Sequence, residues 1–591
     1  MPHRRRTGLT RLAPYAADKK GNLAVIALLA ALSAAAPVAG WHLVQEAIDN
    51  GIRDGDEGHL AKVVLAYAGV NAAAWALGTA TWLGLAGVGQ RVVLELRRDL
   101  FHHLTSLSLR YFSQQKAGWI ISRLTSDVDA LSDVLNQGLT TLVVNTLTLV
   151  AAVGGLFLLD WRLGLVALCV LPPGLLLTRW FQRISHVAAA EVRTRIAIVT
   201  AQLAESIAGM AVIQAFNRER AFQQEFDGLN EDNRLANVRV QKIYSVFFPA
   251  IEFLGVIATG SVLFAGAHFI GAGSMEIGTL IAAVGLLALV FQPLQELSEL
   301  YGQVQAASAA MDKITSVLDA EIEIADRPGA RPIGRIDGRL ELDRVTFAYG
   351  EEPVLHAIEV FVPPGGCIAL VGESGGGKST TAKLIARFYD PDGGAVRVDG
   401  TDLRDVELVG YRRQLGVVLQ DPFLFSGTIA DNIRFGKPDA SDEEVRSTAA
   451  AVGVDRVAAR LEKGLEHVVR EGGAGLSAGE RQLISIARAL LADPRILILD
   501  EATSNIDRPT EILIERAFDR LLAGRTSIII AHRLATVRRA DEILVLEHGR
   551  IVQRGSEREL IAEDGPFRRL AHTLHVDGLP LAAEEESAPA A

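Results

Sequence analysis

The stretch GESGGGKST, Gly372 to Thr380, decides how the rest of the chain is read. Before it runs CIALVG, Cys367 to Gly372, an apolar segment expected to be a buried strand; after it TAKLIARFY reads as a helix. Strand, glycine loop and helix in that order are the setting in which GxxxxGK[ST] cradles phosphates. The glycines Gly372, Gly375, Gly376 and Gly377 let backbone N–H groups come close, with Glu373 and Ser374 completing the loop. Lys378 reaches the terminal phosphates, while the hydroxyls of Ser379 and Thr380 open a helix whose N-terminus faces negative charge, Ser379 being a ligand for Mg²⁺.

Downstream, RILILDEATS, Arg495 to Ser504, is a second apolar strand that ends in two carboxylates. Such a strand brings Asp500 to a metal ion and Glu501 to a water that attacks the terminal phosphate. A carboxylate pair after an apolar run is common by itself; together with the glycine loop it points to nucleoside triphosphate hydrolysis.

The chain before about residue 300 has a different character. Over 591 residues, 49% are hydrophobic and the mean hydropathy is +0.24, too apolar for an ordinary soluble enzyme and too long for one core. Six apolar runs are long enough to be membrane helices: Leu23–Val44, Val63–Gly89, Leu139–Leu159, Leu163–Leu177, Val246–Ile270 and Ile277–Leu294. Pro172 and Pro173 interrupt the fourth, as membrane helices tolerate. Arg4, Arg5, Arg6, Arg11, Lys19 and Lys20 precede the first run and Arg91, Arg97 and Arg98 follow the second, which puts both regions in the cytoplasm. A secretory signal is the competing reading of the N-terminus, and it is rejected because cleavage would remove a helix that the bundle needs. Residues 91 to 138 and 182 to 245 are expected to be helical extensions, with NRERAFQQEF, Asn217 to Phe226, either a turn that docks on another domain or an exposed helix corner.

The net charge of −11 and the lack of a basic stripe argue against a nucleic-acid partner. Cys169 and Cys367 are expected to be two buried thiols rather than a disulfide. The expected fold is therefore an all-α, six-helix transmembrane domain over 1–318, a Pro/Gly linker over 319–336, and an α/β phosphate-loop domain over 337–575. The acidic, Ala/Pro-rich tail, 576–591, is expected to be disordered.

Between the two nucleotide motifs stands LSAGERQ, Leu476 to Gln482, and with it the second half resembles the ATP-binding-cassette (ABC) ATPases. Over residues 15 to 575 the chain is similar to an exporter-type half-transporter, six spans ahead of one cassette. The resemblance implies ATP and Mg²⁺ as cofactors. It assigns adenine stacking to Tyr349 in VTFAYG, and γ-phosphate and Mg²⁺ sensing to Gln420 in VVLQDPF. Asp500 joins Ser379 and Gln420 as a metal ligand. His532 in IIAHRLAT resembles the switch histidine, and Asp507 in SNID the loop that links two ATP sites. Ser477, Ala478, Gly479 and Glu480 form the signature, which in the family meets the nucleotide held by a second cassette, so one chain cannot complete a site.

Ala478 and Glu480 replace the family's glycine and glutamine, whereas the phosphate loop and Glu501 keep the family pattern. That combination resembles the catalytic chain of a heterodimeric exporter, and heterodimer is favoured over homodimer. The expected function is ATP-driven efflux of hydrophobic or amphipathic small molecules, drugs or lipids, across the bacterial inner membrane. An importer on the same architecture and an ATP-gated channel are the alternatives. Glu252 is expected either to contact a cationic or amphipathic substrate or to be hydrated near the cytoplasmic end of its helix; Asn145 and Asn71 are weaker pointers, since an amide also serves as interhelical glue, and Glu296 and Glu299 fall to the cytoplasmic extension.

Overall fold

The computed structural model describes residues 8–17, 20–500, 506–531 and 534–574. They form two compact units. The first runs to Ser106 and resumes over Lys116–Ala320; the second joins Leu107–Gln115 to the chain from Glu321 onward.

In the first unit the apolar runs become long helices: α1 (Lys20–Glu46), α2 (Glu57–Ser106), α3 (Leu139–Leu159), α4 (Trp161–Ala208), α5 (Glu219–Gly271) and α6 (Ile277–Leu318). Five helical segments among the described residues are long and apolar enough to cross a membrane: Lys20–Ile52, Glu57–Ser106, Ala117–Leu159, Glu219–Gly271 and Ile277–Leu318. The fourth apolar run lies in α4, a continuous helix through Pro172 and Pro173 that falls outside that set. At about 1.5 Å per residue, the 53 residues of α5 far outreach a hydrocarbon core of about 30 Å. The polar connections are thus largely extensions of the same helices, broken into short helices over residues 107–138 and interrupted at 209–218. Of NRERAFQQEF only the start is a turn, where Asn217 takes φ +51°; from Glu219 the chain is already α5.

Small residues let these helices approach closely. A methyl group on Gly285 of α6 would lie 2.3 Å from the ring of Trp41 on α1, and one on Gly266 of α5 would lie 2.3 Å from Leu280. The first turn of α6 is held from outside its own helix. Asp49 is buried and accepts the Gly278 N–H at 2.7 Å, while the Gln45 amide donates to the Thr279 hydroxyl at 2.9 Å.

The second unit is α/β. A four-stranded sheet, order β2-β1-β4-β5, comprises β1 (Leu340–Ala348), β2 (Pro353–Val362), β4 (Gly393–Val398) and β5 (Thr401–Asp402). A six-stranded sheet, order β10-β9-β3-β8-β7-β6, comprises β3 (Cys367–Val371), β6 (Leu415–Val418), β7 (Ile496–Asp500), β8 (Thr526–Ile530), β9 (Glu542–Glu547) and β10 (Arg550–Gly555). All its pairings are parallel except β9 with β10. Buried on both faces, the inner strands β3, β7 and β8 read as nearly continuous apolar runs, as CIALV and ILIL do. The helices that matter below are α7 (Lys378–Ile385), α8 (Asp442–Val452), α9 (Ala478–Leu491) and α10 (Arg508–Leu522). Helix α7 begins at Lys378 and stops at Ile385, shorter than TAKLIARFY suggests, since Arg387 takes φ +50°.

Candidate functional site

Parallel register aligns the carboxyl ends of four neighbouring strands, where ligands of open α/β sheets gather. Leu370 of β3 and Asp500 of β7 both pair with Ile530 of β8, and Val418 of β6 pairs with Leu499. The glycine loop leaves β3 at this edge, Asp500 ends β7, and exposed Gln420 follows β6 by two residues. Three segments far apart in sequence therefore reach one place.

Within the loop, backbone shape demands glycine at two positions. Gly372 has φ +143°, and a methyl group there would lie 2.1 Å from the Leu546 carbonyl oxygen; Gly377 has φ +101°, with Leu355 2.5 Å away. The Lys378 ammonium donates to the Gly372 and Glu373 carbonyls at 2.7 and 2.8 Å, so its charge lies inside the loop. Burial lowers the lysine's proton affinity and the Asp500 carboxylate opposes that shift, which puts Asp500 within electrostatic reach of Lys378. Ser379 and Thr380 lie in the first turn of α7, and Thr380 is buried. The oxygens of Ser379, Asp500 and Gln420 are the hard donors that a Mg²⁺ ion takes. Glu501 and His532 lie outside the described residues; the preceding residues, Asp500 and Ala531, are at the same strand ends.

Tyr349 stands just past β1, half-buried, its hydroxyl 3.2 Å from that of Thr380. Its ring meets Phe347 and Tyr389 edge to face at 5.0 and 5.2 Å, and the Lys383 ammonium lies 5.6 Å from its centre. An aromatic shelf thus adjoins the start of the phosphate-loop helix.

The signature is a helix start. Ser477 caps α9 in a capping box: its hydroxyl accepts the Glu480 N–H at 3.3 Å, and the Glu480 carboxylate accepts the Ser477 N–H at 2.9 Å. The other Glu480 oxygen pairs with Arg460 at 2.9 Å, so the carboxylate at this position is charge-balanced. Ala478 is exposed, its methyl in no core, whereas a methyl on Gly479 would lie 2.5 Å from Thr510. Of the two glycine positions, the fold of this chain requires only the second. Asp507 caps α10, accepting both the N–H and the hydroxyl of Thr510; the latter holds its carboxyl below the usual range.

In the helical unit, Glu252 is exposed on α5, while the Asn145 amide donates to Glu296 at 2.7 Å and joins α3 to α6. Asn145 is thus committed to a helix neighbour, and Glu296, read as part of an extension, is its partner, held also by Gln292 at 3.0 Å. Asn71 donates to the Tyr67 carbonyl of its own helix. Of the two cysteines expected to be buried, Cys169 is exposed, because a membrane helix turns some apolar side chains outward, and Cys367, the first residue of β3, is half-buried. The partners of Arg460, Asp49 and Glu296 were not readable in the sequence, since each lies outside the local spacing of its helix.

Two family models cover most of the sequence: ABC transporter transmembrane region at residues 23–294 and ABC transporter at residues 355–504. The chain belongs to the ABC transporter family. This ABC transporter is an ATP-hydrolysing, multi-pass membrane protein of the exporter-type half-transporter class. It is 37% identical over 97% of its length to a multidrug efflux ATP-binding/permease protein of Mycobacterium bovis, of which it spans only 48%. It is 36% identical over 82% of its length to an ATP-dependent lipid A-core flippase of Syntrophus aciditrophicus, covering 80% of that protein. A bacterial Atm1-family ABC exporter solved with ATP bound has the same fold, with TM-score 0.79, 26% identity, and 96% of this transporter and 98% of that chain covered.

Proposed function

We propose that this transporter moves hydrophobic or amphipathic small molecules, drugs or lipids, out across the bacterial inner membrane, driven by ATP. The observation that carries the reading is the union in one chain of long apolar helices with a phosphate loop, Asp500 and Gln420 at one sheet edge. The printed activities of its relatives, multidrug efflux and lipid A-core flipping, support the substrate class.

In this reading Lys378 and the loop N–H groups hold the phosphates of ATP, and Tyr349 stacks on its base. Glu501 orients the attacking water and His532 contacts the γ-phosphate. Ser379, Gln420 and Asp500 hold Mg²⁺, which would offset phosphate charge when bound. Ser477 and Gly479 present the start of α9 to a nucleotide held by a second cassette. Binding of ATP closes the cassette pair and hydrolysis reopens it; the free energy is the difference in ATP affinity between the two states. Heterodimer is favoured over homodimer, because Ala478 adds a methyl on the exposed signature surface. The Arg460 pair makes Glu480 the milder departure.

The test is ATP-dependent movement of a fluorescent lipid and of a lipophilic dye in proteoliposomes that hold this chain with a second half-transporter. Movement that Glu501→Gln abolishes supports the reading. Hydrolysis that moves neither probe contradicts it.

A further inference from the structure

Residues 107–115 fall, in sequence, between α2 and α3, yet they fold as part of the second unit. Leu107 and Ser108 are buried there, and the Ser108 hydroxyl donates to Glu323 at 3.2 Å. Arg110 is the centre of the contact. Its guanidinium pairs with Glu323 at 3.2 Å, donates to the Tyr349 carbonyl at 3.5 Å, and lies 6.0 and 5.8 Å from the ring centres of Phe347 and Tyr389. Those two rings are the ones that meet Tyr349 edge to face.

Tyr349 is therefore fixed from two directions. Phe347 is fully buried and Tyr389 nearly so, which makes them a rigid backing, while Arg110 holds the carbonyl of Tyr349 and stands over both backing rings. A guanidinium suits this place, because one N–H donates to a carbonyl, its charge pairs with a carboxylate and its face meets aromatic rings. We infer that Arg110 is a positioning residue for the adenine base: a residue supplied by the α2–α3 connection orients the Tyr349 ring on which the base stacks. The inference rests on the base-stacking role proposed above for Tyr349.

The experiment uses the full chain in lipid nanodiscs with whatever second chain supports hydrolysis. ATPase kinetics are compared for wild type, Arg110→Ala, Arg110→Lys, Tyr349→Ala and the double variant Arg110→Ala/Tyr349→Ala. Arg110→Ala is expected to raise KM for ATP about two- to fivefold with kcat unchanged, and Arg110→Lys to raise it less. In the Tyr349→Ala background the Arg110→Ala step is expected to add nothing. A second readout separates positioning from general damage: ATP binding to the Glu501→Gln chain weakens with Arg110→Ala, whereas competition by inorganic triphosphate, which has no base, is unchanged. Equal weakening for both ligands, or an additive double variant, overturns the inference. If Tyr349→Ala itself leaves KM unchanged, the base-stacking role fails and the inference with it. If Tyr349→Ala raises KM and Arg110→Ala does not, the inference alone fails.

Discussion

At the scale of single residues, glycines separate what the fold demands from what a partner's nucleotide would demand. Gly372→Ala places a methyl against the Leu546 carbonyl at a backbone angle that side chains rarely adopt. It is predicted to cost about 3 kcal/mol and to abolish ATP binding, read by thermal unfolding and by nucleotide titration. Ala478→Gly touches no core, so stability should change by about 1 kcal/mol or less while hydrolysis rises in a dimer whose partner site depends on this signature. The phosphate-loop residues were legible in the sequence because nine consecutive positions carry the whole pattern. Arg110 was not, because its partner Tyr349 lies 239 positions away and no local spacing marks the pair.

At the scale of elements, helix starts carry much of the local specification, and they do so through acids. Glu444 at the start of α8 is held down to about 2, first by Lys437 and then by Ser441; Asp431 and Glu559 are held below their ordinary values chiefly by the backbone N–H of Thr428 and Ser556. Their folded values lie below the unfolded ones. The stability they contribute is thus present above about pH 4.5 and lost as pH falls toward 2, so the cassette's unfolding temperature should drop through that window. Ser441→Ala, which removes one cap, should cost about 1 kcal/mol at neutral pH. The start of α6 is capped by Asp49 instead of a neighbour in its own sequence. Asp49→Ala should lower the unfolding temperature in lipid, corresponding to about 1–2 kcal/mol, with Asp49→Asn, which keeps an acceptor oxygen, close to wild type. Apolar runs and prolines were readable as sequence patterns. The Asp49 cap and the Asn145–Glu296 link were not, since each joins helices whose neighbours are chosen by tertiary packing.

At the scale of the whole molecule, the central claim is that this chain's phosphate loop hydrolyses ATP once a second signature is supplied, and that the helices are moved by it. The shift in composition near residue 300 and the motif order made the architecture legible, since a membrane and a nucleotide impose different compositions. The assignment of Leu107–Gln115 to the cassette unit was not legible, because nothing in LSLRYFSQQ distinguishes a solvated helix corner from one seated on another fold. The most direct measurement is ATP hydrolysis by the purified chain in lipid, alone and with the product of any neighbouring half-transporter gene, with Lys378→Ala and Glu501→Gln as controls. The prediction is hydrolysis that is strongest with the second chain and is abolished by either substitution. Hydrolysis in neither preparation, or hydrolysis that survives both substitutions in this chain, would contradict it.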